Sequence, residues 1–185
     1  AGYDRLGVVR SREGNRLANS APLDNYPTAD GKFVCIVAGS DANFSRLCAA
    51  MDRPDLLADP RFTKLVDRAA HNDAINGIVA EWTAARSAAD VEAACVEHDV
   101  PVATAYTAAD MFVDEQFAAR GDLIAVTDPV IGPVRQQAPY PRFVGQPVPV
   151  PTGAPTLGAD TDAVLAGLGF DDAARAALRA DGVIA

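Results

Sequence analysis

Lys32-Phe33-Val34-Cys35-Ile36-Val37-Ala38 is the stretch from which the fold can be read. It is apolar and rich in β-branched residues, and it reads as a buried strand. Gly39 stops it, and Ser40 or Asp41 is placed to cap a helix. Phe44, Leu47, Cys48 and Met51 then recur at helical spacing. A strand that feeds a helix after so short a turn is one repeat of an α/β layout.

Working downstream, Pro54 and Pro60 bracket a helical turn over 55–58. A longer helix is expected to start near Thr63 and run through the seventies. Ile75, Ile78, Val79 and Trp82 share one face, with Arg68, Asn72, Asn76 and Glu81 elsewhere. Ser87-Ala88-Ala89-Asp90 has capping-box spacing, with Asp in the usual place of Glu. Its helix buries Val91, Ala94 and Cys95 and ends near His98. Residues 101–106 read as a strand, and Thr107-Ala108-Ala109-Asp110 repeats the capping logic before Met111, Phe112 and Phe117. Residues 123–127 and 134–136 suit a hairpin around Asp128-Pro129 and Gly132-Pro133.

Upstream, residues 1–31 have little periodicity and are punctuated by Gly2, Gly7, Gly14, Pro22, Pro27 and the Asp30-Gly31 turn pair. Far downstream, Pro139, Pro141, Pro147, Pro149, Pro151 and Pro155 predict an extended, stiff connector. Two short amphipathic helices follow. One carries Ala163, Val164, Leu165 and Leu168, and the other Ala174, Ala177 and Leu178. The expected organisation is a linker segment over 1–31, a small α/β (α+β) domain over 32–137, and a connector with two helices over 138–185. Those helices need a further surface to cover their apolar faces.

The 185-residue chain is 49% hydrophobic and 22% charged, an ordinary globular composition. Its net charge of −9 argues against a nucleic-acid partner. No stretch approaches the roughly 20 apolar residues of a membrane span, and the first residues lack a signal peptide's apolar core. The lack of such a span predicts no membrane partner, and Cys35, Cys48 and Cys95, widely spaced in apolar surroundings, read as buried structural thiols in a reducing cytoplasm.

The search for catalytic residues finds little. His71 and His98 are the only histidines, and both read as helix-surface or helix-end residues, so no metal site is expected. No Gly-x-Ser-x-Gly, Gly-x-Gly-x-x-Gly or Walker-type motif occurs. Asp114-Glu115 and Asp171-Asp172 read as first-turn residues set favourably against a helix dipole. Arg10, Arg12 and Arg16 could meet a phosphate or a neighbouring carboxylate, with a solvated or structural role the simpler reading. Tyr106, Phe112, Phe117 and Trp82 are expected in the core.

The order of short motifs nevertheless resembles the family III CoA-transferases, which include the α-methylacyl-CoA racemases. Gly14-Asn15, Asn19-Ser20-Ala21-Pro22 and Tyr26-Pro27-Thr28-Ala29-Asp30-Gly31 are similar to the stretch leading into the family's small domain. Asp59-Pro60-Arg61-Phe62 with Arg68 and Asn72 resembles its "DPRF … R … N" signature. Val100-Pro101-Val102-Ala103 followed by Thr107 resembles its "GVP" strand, with Asp99 replacing the usual glycine. The run Ala154 to Thr161 with Val164-Leu165 resembles its "AP-x-LG-x-HT … VL" signature, with Asp160 where the family commonly has His.

The resemblance implies the carboxy-terminal half of such an enzyme. The CoA-binding fold and the catalytic aspartate, or the His and Asp pair of a racemase, would lie in the half before it. It implies no catalytic residue here, no cofactor bound by this segment alone, and a coenzyme A thioester as substrate of the complete enzyme. Its partners would be the amino-terminal CoA-binding half or another chain supplying it, an acyl-CoA and a carboxylic acid, and a second subunit in an interlocked homodimer. Asn19, Ser20, Ala21 and Pro22 would form a wall of the substrate pocket, without the glycine-rich run that some transferases have. The isolated chain is expected to be inactive. A racemase or related acyl-CoA isomerase, and a non-catalytic interaction or regulatory subunit, are the alternative expectations.

Overall fold

The computed structural model describes residues 2–146 and 149–184; Pro147 of the expected connector lies outside them. The chain divides into two compact units, 1–105 and 106–185.

The first unit begins with a short helix, α1 (Gly2–Leu6), which buries no residue. Strands β1 (Leu23–Pro27) and β2 (Phe33–Val37) follow, then α2 (Asp41–Ala50) and a 3-10 turn, Pro54–Leu57. Helices α3 (Leu65–Ala70), α4 (Asn72–Ala84) and α5 (Ala88–Glu97) lead to β3 (Val102–Thr104). The three strands form one antiparallel sheet with β2 in the centre. Tyr26 pairs with Val34 across β1–β2, and Ile36 with Val102 across β2–β3.

Strand alternation puts Tyr26, Val34, Ile36 and Ala38 on one face, where they are buried. Phe44, Leu47 and Cys48 of α2, Ile75, Val79 and Trp82 of α4, and Val91 and Cys95 of α5 complete that core. Each fully buried aliphatic or aromatic side chain contributes about 1.5–3 kcal/mol. The opposite sheet face is open: Phe33 is 49% and Val37 42% exposed. The 32–38 strand is therefore half-buried and not fully buried as its composition suggests, because helices cover one side of the sheet only.

The expected caps form. Ser40 Oγ accepts from Asn43 N–H at 3.1 Å, and Ser87 Oγ from Asp90 N–H at 3.2 Å. Thr107 and Asp110 make the reciprocal capping box that opens α6 (Ala108–Val113) in the second unit. Asp99, where the resembled motif has glycine, adopts φ +53°; Asp tolerates the left-handed region better than most residues do.

Four further features depart from the expectations. Residues 23–27 form a strand inside the segment read as a linker. The long helix from Thr63 is two helices, broken at His71 with φ −114° and ψ 37°. Arg68 and Asn76, placed off the apolar face by helical periodicity, are both 0% exposed. Tyr106 and Phe112, expected in the core, are 49% and 38% exposed.

The second unit explains that last departure. After α6 it holds α7 (Glu115–Arg120), the hairpin β4 (Leu123–Asp128) and β5 (Gly132–Gln137), and the helices α8 (Thr161–Gly167) and α9 (Asp172–Ala180). The hairpin has the register Leu123↔Gln137 to Asp128↔Gly132. Val126 and Ala138 are the buried hydrophobic residues described in this unit, so it has little interior to offer an aromatic ring. Tyr106 instead lies 6.4 Å from the Phe117 ring, and Arg135 stacks 4.0 Å above Phe112.

No helix or strand occurs between Gln137 and Thr161 among the described residues. That segment is nevertheless tied to β4. A Cβ on Gly153 would lie 2.4 Å from the Asp128 Cα, and Ala154 N–H donates to Asp128 Oδ2 at 3.1 Å. Helices α8 and α9 bury no residue, and Val164 and Leu168 are 58% and 70% exposed. Asp162 pairs with Arg175 and Arg179 between them. Leu165, Ala174 and Leu178 are half-buried, so the two apolar stripes are only partly covered.

Candidate functional site

The loop over 17–22 has an isolated bridge, Leu17↔Ser20, as its own regular pairing, so its backbone polar groups need other partners. Two come from side chains four residues apart on α3 and α4, one from the Ala38 N–H, which donates to the Pro22 carbonyl at 3.0 Å, and a third side chain four residues further on meets the strand that follows. Arg68 Nε donates to the Ala21 carbonyl at 3.0 Å, and Asn72 Nδ2 to the Leu17 carbonyl at 3.1 Å. Asn76 Oδ1 accepts from Leu23 N–H at 3.2 Å and from the Tyr26 hydroxyl.

Arg68 is the centre of this arrangement. Its Nη1 donates to the Phe62 carbonyl at 2.9 Å, and its Nη2 to the Gly39 carbonyl and to Asp41 Oδ1, each at 2.8 Å. The guanidinium also lies 4.3 Å from the Phe44 ring centroid. One buried cation thus joins the 17–22 loop, the β2–α2 turn and the Asp59-Pro60-Arg61-Phe62 motif. The same hydrogen bond holds the Asp41 carboxyl below the usual carboxylate range.

Asp59 and Arg61 form an exposed fork-to-fork pair, with Nη2 to Oδ2 at 2.7 Å, and this bond takes the Asp59 pKa down to about 2. Phe62 turns inward and is fully buried. Gly39 lies against the loop: a Cβ there would meet Ser20 Oγ at 2.0 Å, and the Ser20 side chain would have to turn away.

Within the proposed pocket wall, Asn19 is exposed and Ser20 half-buried, while Ala21 and Pro22 are buried. The structure therefore divides the four into two that reach the surface and two that anchor them. Beside them is a cleft of about 340 Å³ lined by Glu13, Arg16, Ala18, Ala69, Asn72 and Asp73. Arg16 binds Asp24 through Nε at 2.5 Å and Asp73 through Nη1 at 2.7 Å, so it meets carboxylates of its own chain. With Glu13 present the cleft carries more negative than positive charge, which disfavours a phosphate there.

Arg10 and Arg12 are exposed, and most of the remaining candidates have structural partners. His71 caps the α3–α4 break, its Nδ1 2.9 Å from the Asp67 carbonyl, and His98 caps α5, its Nδ1 3.0 Å from the Ala94 carbonyl. Asp114 and Asp171 are N-caps, accepting from Phe117 and Ala174 N–H groups. Cys48 and Cys95 are buried free thiols, each pushed up to about 11 by desolvation, and Cys35 is a half-buried free thiol. Among the described residues no group of three or more His, Cys, Asp or Glu is arranged to hold a metal, and no helix is long and apolar enough to cross a membrane.

Sequence reasoning missed the buried polar roles of Arg68 and Asn76. The four-residue spacing of 68, 72 and 76 beside a loop without regular pairing was the available signal.

Residues 2–161 match the family model described as CoA-transferase family III. The chain is 38% identical over 175 residues to the succinyl-CoA–D-citramalate CoA-transferase of Chloroflexus aurantiacus, covering 93% of this chain and 44% of that protein. It is 35% identical over 163 residues to the succinyl-CoA–L-malate CoA-transferase alpha subunit of Chloroflexus aurantiacus, covering 88% of this chain and 38% of the relative. A CaiB/BaiF family protein from Brucella suis superposes with a TM-score of 0.72 at 28% identity, over 90% of this chain and 43% of that one. The chain thus spans less than half the length of each of these relatives.

Proposed function

Because this chain belongs to CoA-transferase family III, we propose that it is the carboxy-terminal part of an enzyme that moves coenzyme A between carboxylic acids. The observation that supports this most is the 38% identity to a CoA-transferase over 93% of the chain, together with a family match that runs from the first unit into the second. The same relatives favour transfer over racemisation, because both are named as transferases. A succinyl-CoA donor and a four- or five-carbon dicarboxylic acid acceptor are the substrates to test first.

In the proposed reaction an aspartate outside this chain attacks the donor thioester carbonyl. A mixed acyl–aspartyl anhydride forms and CoA leaves as its thiolate. The thiolate then attacks the aspartyl carbonyl, giving an enzyme thioester and releasing the donor acid as its carboxylate. The acceptor carboxylate attacks that thioester and expels the thiolate, which finally takes the acyl group from the new anhydride and frees the aspartate. No oxidant, metal or net proton is needed in this cycle.

This chain's contribution is the pocket wall at Asn19 and Ser20, held from beneath by Ala21 and Pro22. The residues over 138–156 act as a proline-rich connector, and the apolar residues that α8 and α9 leave exposed are covered by the amino-terminal half in an interlocked dimer. Free thiols at Cys35, Cys48 and Cys95 fit a cytoplasmic enzyme.

The test is direct. The parent protein, incubated with succinyl-CoA and a panel of acids, should give new CoA thioesters by mass spectrometry, whereas the 185-residue chain alone should give none and bind CoA weakly. α-Proton exchange without CoA transfer would favour a racemase. Absence of both would point to a non-catalytic subunit, and turnover by the isolated chain would overturn the assignment of chemistry to the other half.

A further inference from the structure

Resting on the transferase reading and on its pocket wall at Asn19 and Ser20, we infer that Asn72 and Arg68 are positioning residues for acceptor binding: they hold the 17–22 loop in the shape the acceptor acid meets, without touching the acid themselves. The loop is fixed at two carbonyls four residues apart, Leu17 by Asn72 at 3.1 Å and Ala21 by Arg68 at 3.0 Å. Ser20 N–H returns to the Leu17 carbonyl at 3.3 Å, which closes the loop on itself. Just beyond, Leu23 N–H is taken by Asn76.

The clamps are themselves oriented. Asn76 Nδ2 donates to Asn72 Oδ1 at 2.7 Å, so the Asn72 carboxamide is turned with its own Nδ2 toward Leu17. Arg68 has its remaining donors on Phe62, Gly39 and Asp41, so its Nε direction is determined on every side. A planar fork of donors suits three carbonyls from three segments; a Lys ammonium, with one nitrogen, cannot span them.

Between the two tied carbonyls, Ala18 and Asn19 remain exposed. A loop held in this way gives up little conformational freedom when a small acid binds against it, and that preorganisation appears as a lower KM. The surface it presents is a fixed wall, not a closing lid.

The experiment uses the full-length parent with Asn72→Ala, a half-buried position in the first turn of α4, and Arg68→Lys as a second variant. Acceptor KM, donor KM and kcat would be measured with hydrogen exchange of the peptide covering 17–23 and thermal unfolding followed by circular dichroism. For Asn72→Ala the acceptor KM should rise at least fivefold and loop exchange at least tenfold, with donor KM and the unfolding midpoint essentially unchanged. Arg68→Lys should shift the first two in the same direction and lower the midpoint.

Faster loop exchange with an unchanged acceptor KM would overturn the inference, because the loop would then not meet the acceptor. Unchanged exchange would overturn it because the clamp would not be what holds the loop. A wild-type parent that transfers CoA to no acid would remove the transferase reading and the acceptor with it. The exchange measurement separates that failure from a clamp that never held.

Discussion

Replacing Arg68 by Met should unfold the first unit's core at far lower temperature or denaturant than in wild type. Met approximates the volume of the Arg stem and none of its donors. The substitution leaves the carbonyls of Ala21, Gly39 and Phe62 without their partner in a region where all three residues are buried. Truncating one partner of a buried charged network costs about 3–5 kcal/mol. Domains of this size have about 5–15 kcal/mol in total. At about 4 °C or more per kcal/mol, the midpoint should fall by roughly 12 °C or more.

Trp82 is the only tryptophan among these 185 residues and is buried in this core, so in the 185-residue chain its fluorescence reports the first unit alone. Arg68→Lys keeps the charge and part of the bonding, and should lose about half as much. The pH dependence supplies a second reading. The Asp41 pKa is held below its unfolded value of about 3.9, so its contribution is full above that pH and is lost as pH falls through the lower folded-state value. The Asp41 side chain is 55% exposed, so this contribution is small and screened. In Arg68→Met the Asp41 titration should return toward the ordinary carboxylate range. A destabilisation under about 1 kcal/mol would refute the reasoning, since it would mean that water or other donors satisfy the three carbonyls.

Cys48 and Cys95, with thiols near 11 and buried, should resist a charged thiol reagent at pH 8 in the native state, with Cys35 labelled first; equal rates at all three would contradict the burial. Asp59 should titrate near 2 by NMR, and Arg61→Gln should move it up toward the ordinary carboxylate value, because the Arg61 bond is the largest cause of its depression. An unmoved midpoint would assign the shift to the backbone instead. Gly153→Ala should release the segment from β4, since its Cβ would meet backbone at 2.4 Å. The Ala154 amide should then lose its hydrogen-exchange protection, at a cost of about 1–3 kcal/mol to the second unit; retained protection would show that the segment can shift without detaching.

The apolar periodicities carried well from sequence to structure. Phe44, Leu47 and Cys48, and Ile75, Val79 and Trp82, lie on the buried faces that their spacing predicts. Ser40, Ser87 and Thr107 cap the expected helices, because capping depends on residues within one turn of each other. Strand β1 was illegible for a local reason. Leu-Asp-Asn-Tyr-Pro lacks β-branched residues and is flanked by Pro22, and Tyr26 is the residue within it that is fully buried. Its strand state comes from pairing with β2, including Ala38 N–H to the Pro22 carbonyl at 3.0 Å just outside the ladder. Edge strands tolerate such prolines because one side of the strand has no ladder partner.

The clamp was hidden for a different reason. Arg68, Asn72 and Asn76 recur every four residues, and a polar stripe at that spacing on an amphipathic helix ordinarily faces water. Here Arg68 and Asn72 face a loop whose backbone groups have little pairing of their own, and Asn76 faces the Leu23 N–H and the Tyr26 hydroxyl just beyond it, so the polar groups find protein partners instead of water. The stripe therefore sinks to 0% exposure at Arg68 and Asn76 without leaving a charge or an amide unpaired. Hydrophobic periodicity cannot register this, because it scores the side chain and not the backbone it will meet. The better indicator was the loop itself. Residues 17–22 sit next to a β2–α2 turn whose Gly39 leaves room for Ser20, and they have to place buried carbonyls against some donor. A long planar donor with several N–H groups, fixed in a neighbouring helix, is the side chain that meets this need, and Arg68 supplies it between Phe62, whose carbonyl it also binds, and Asn72.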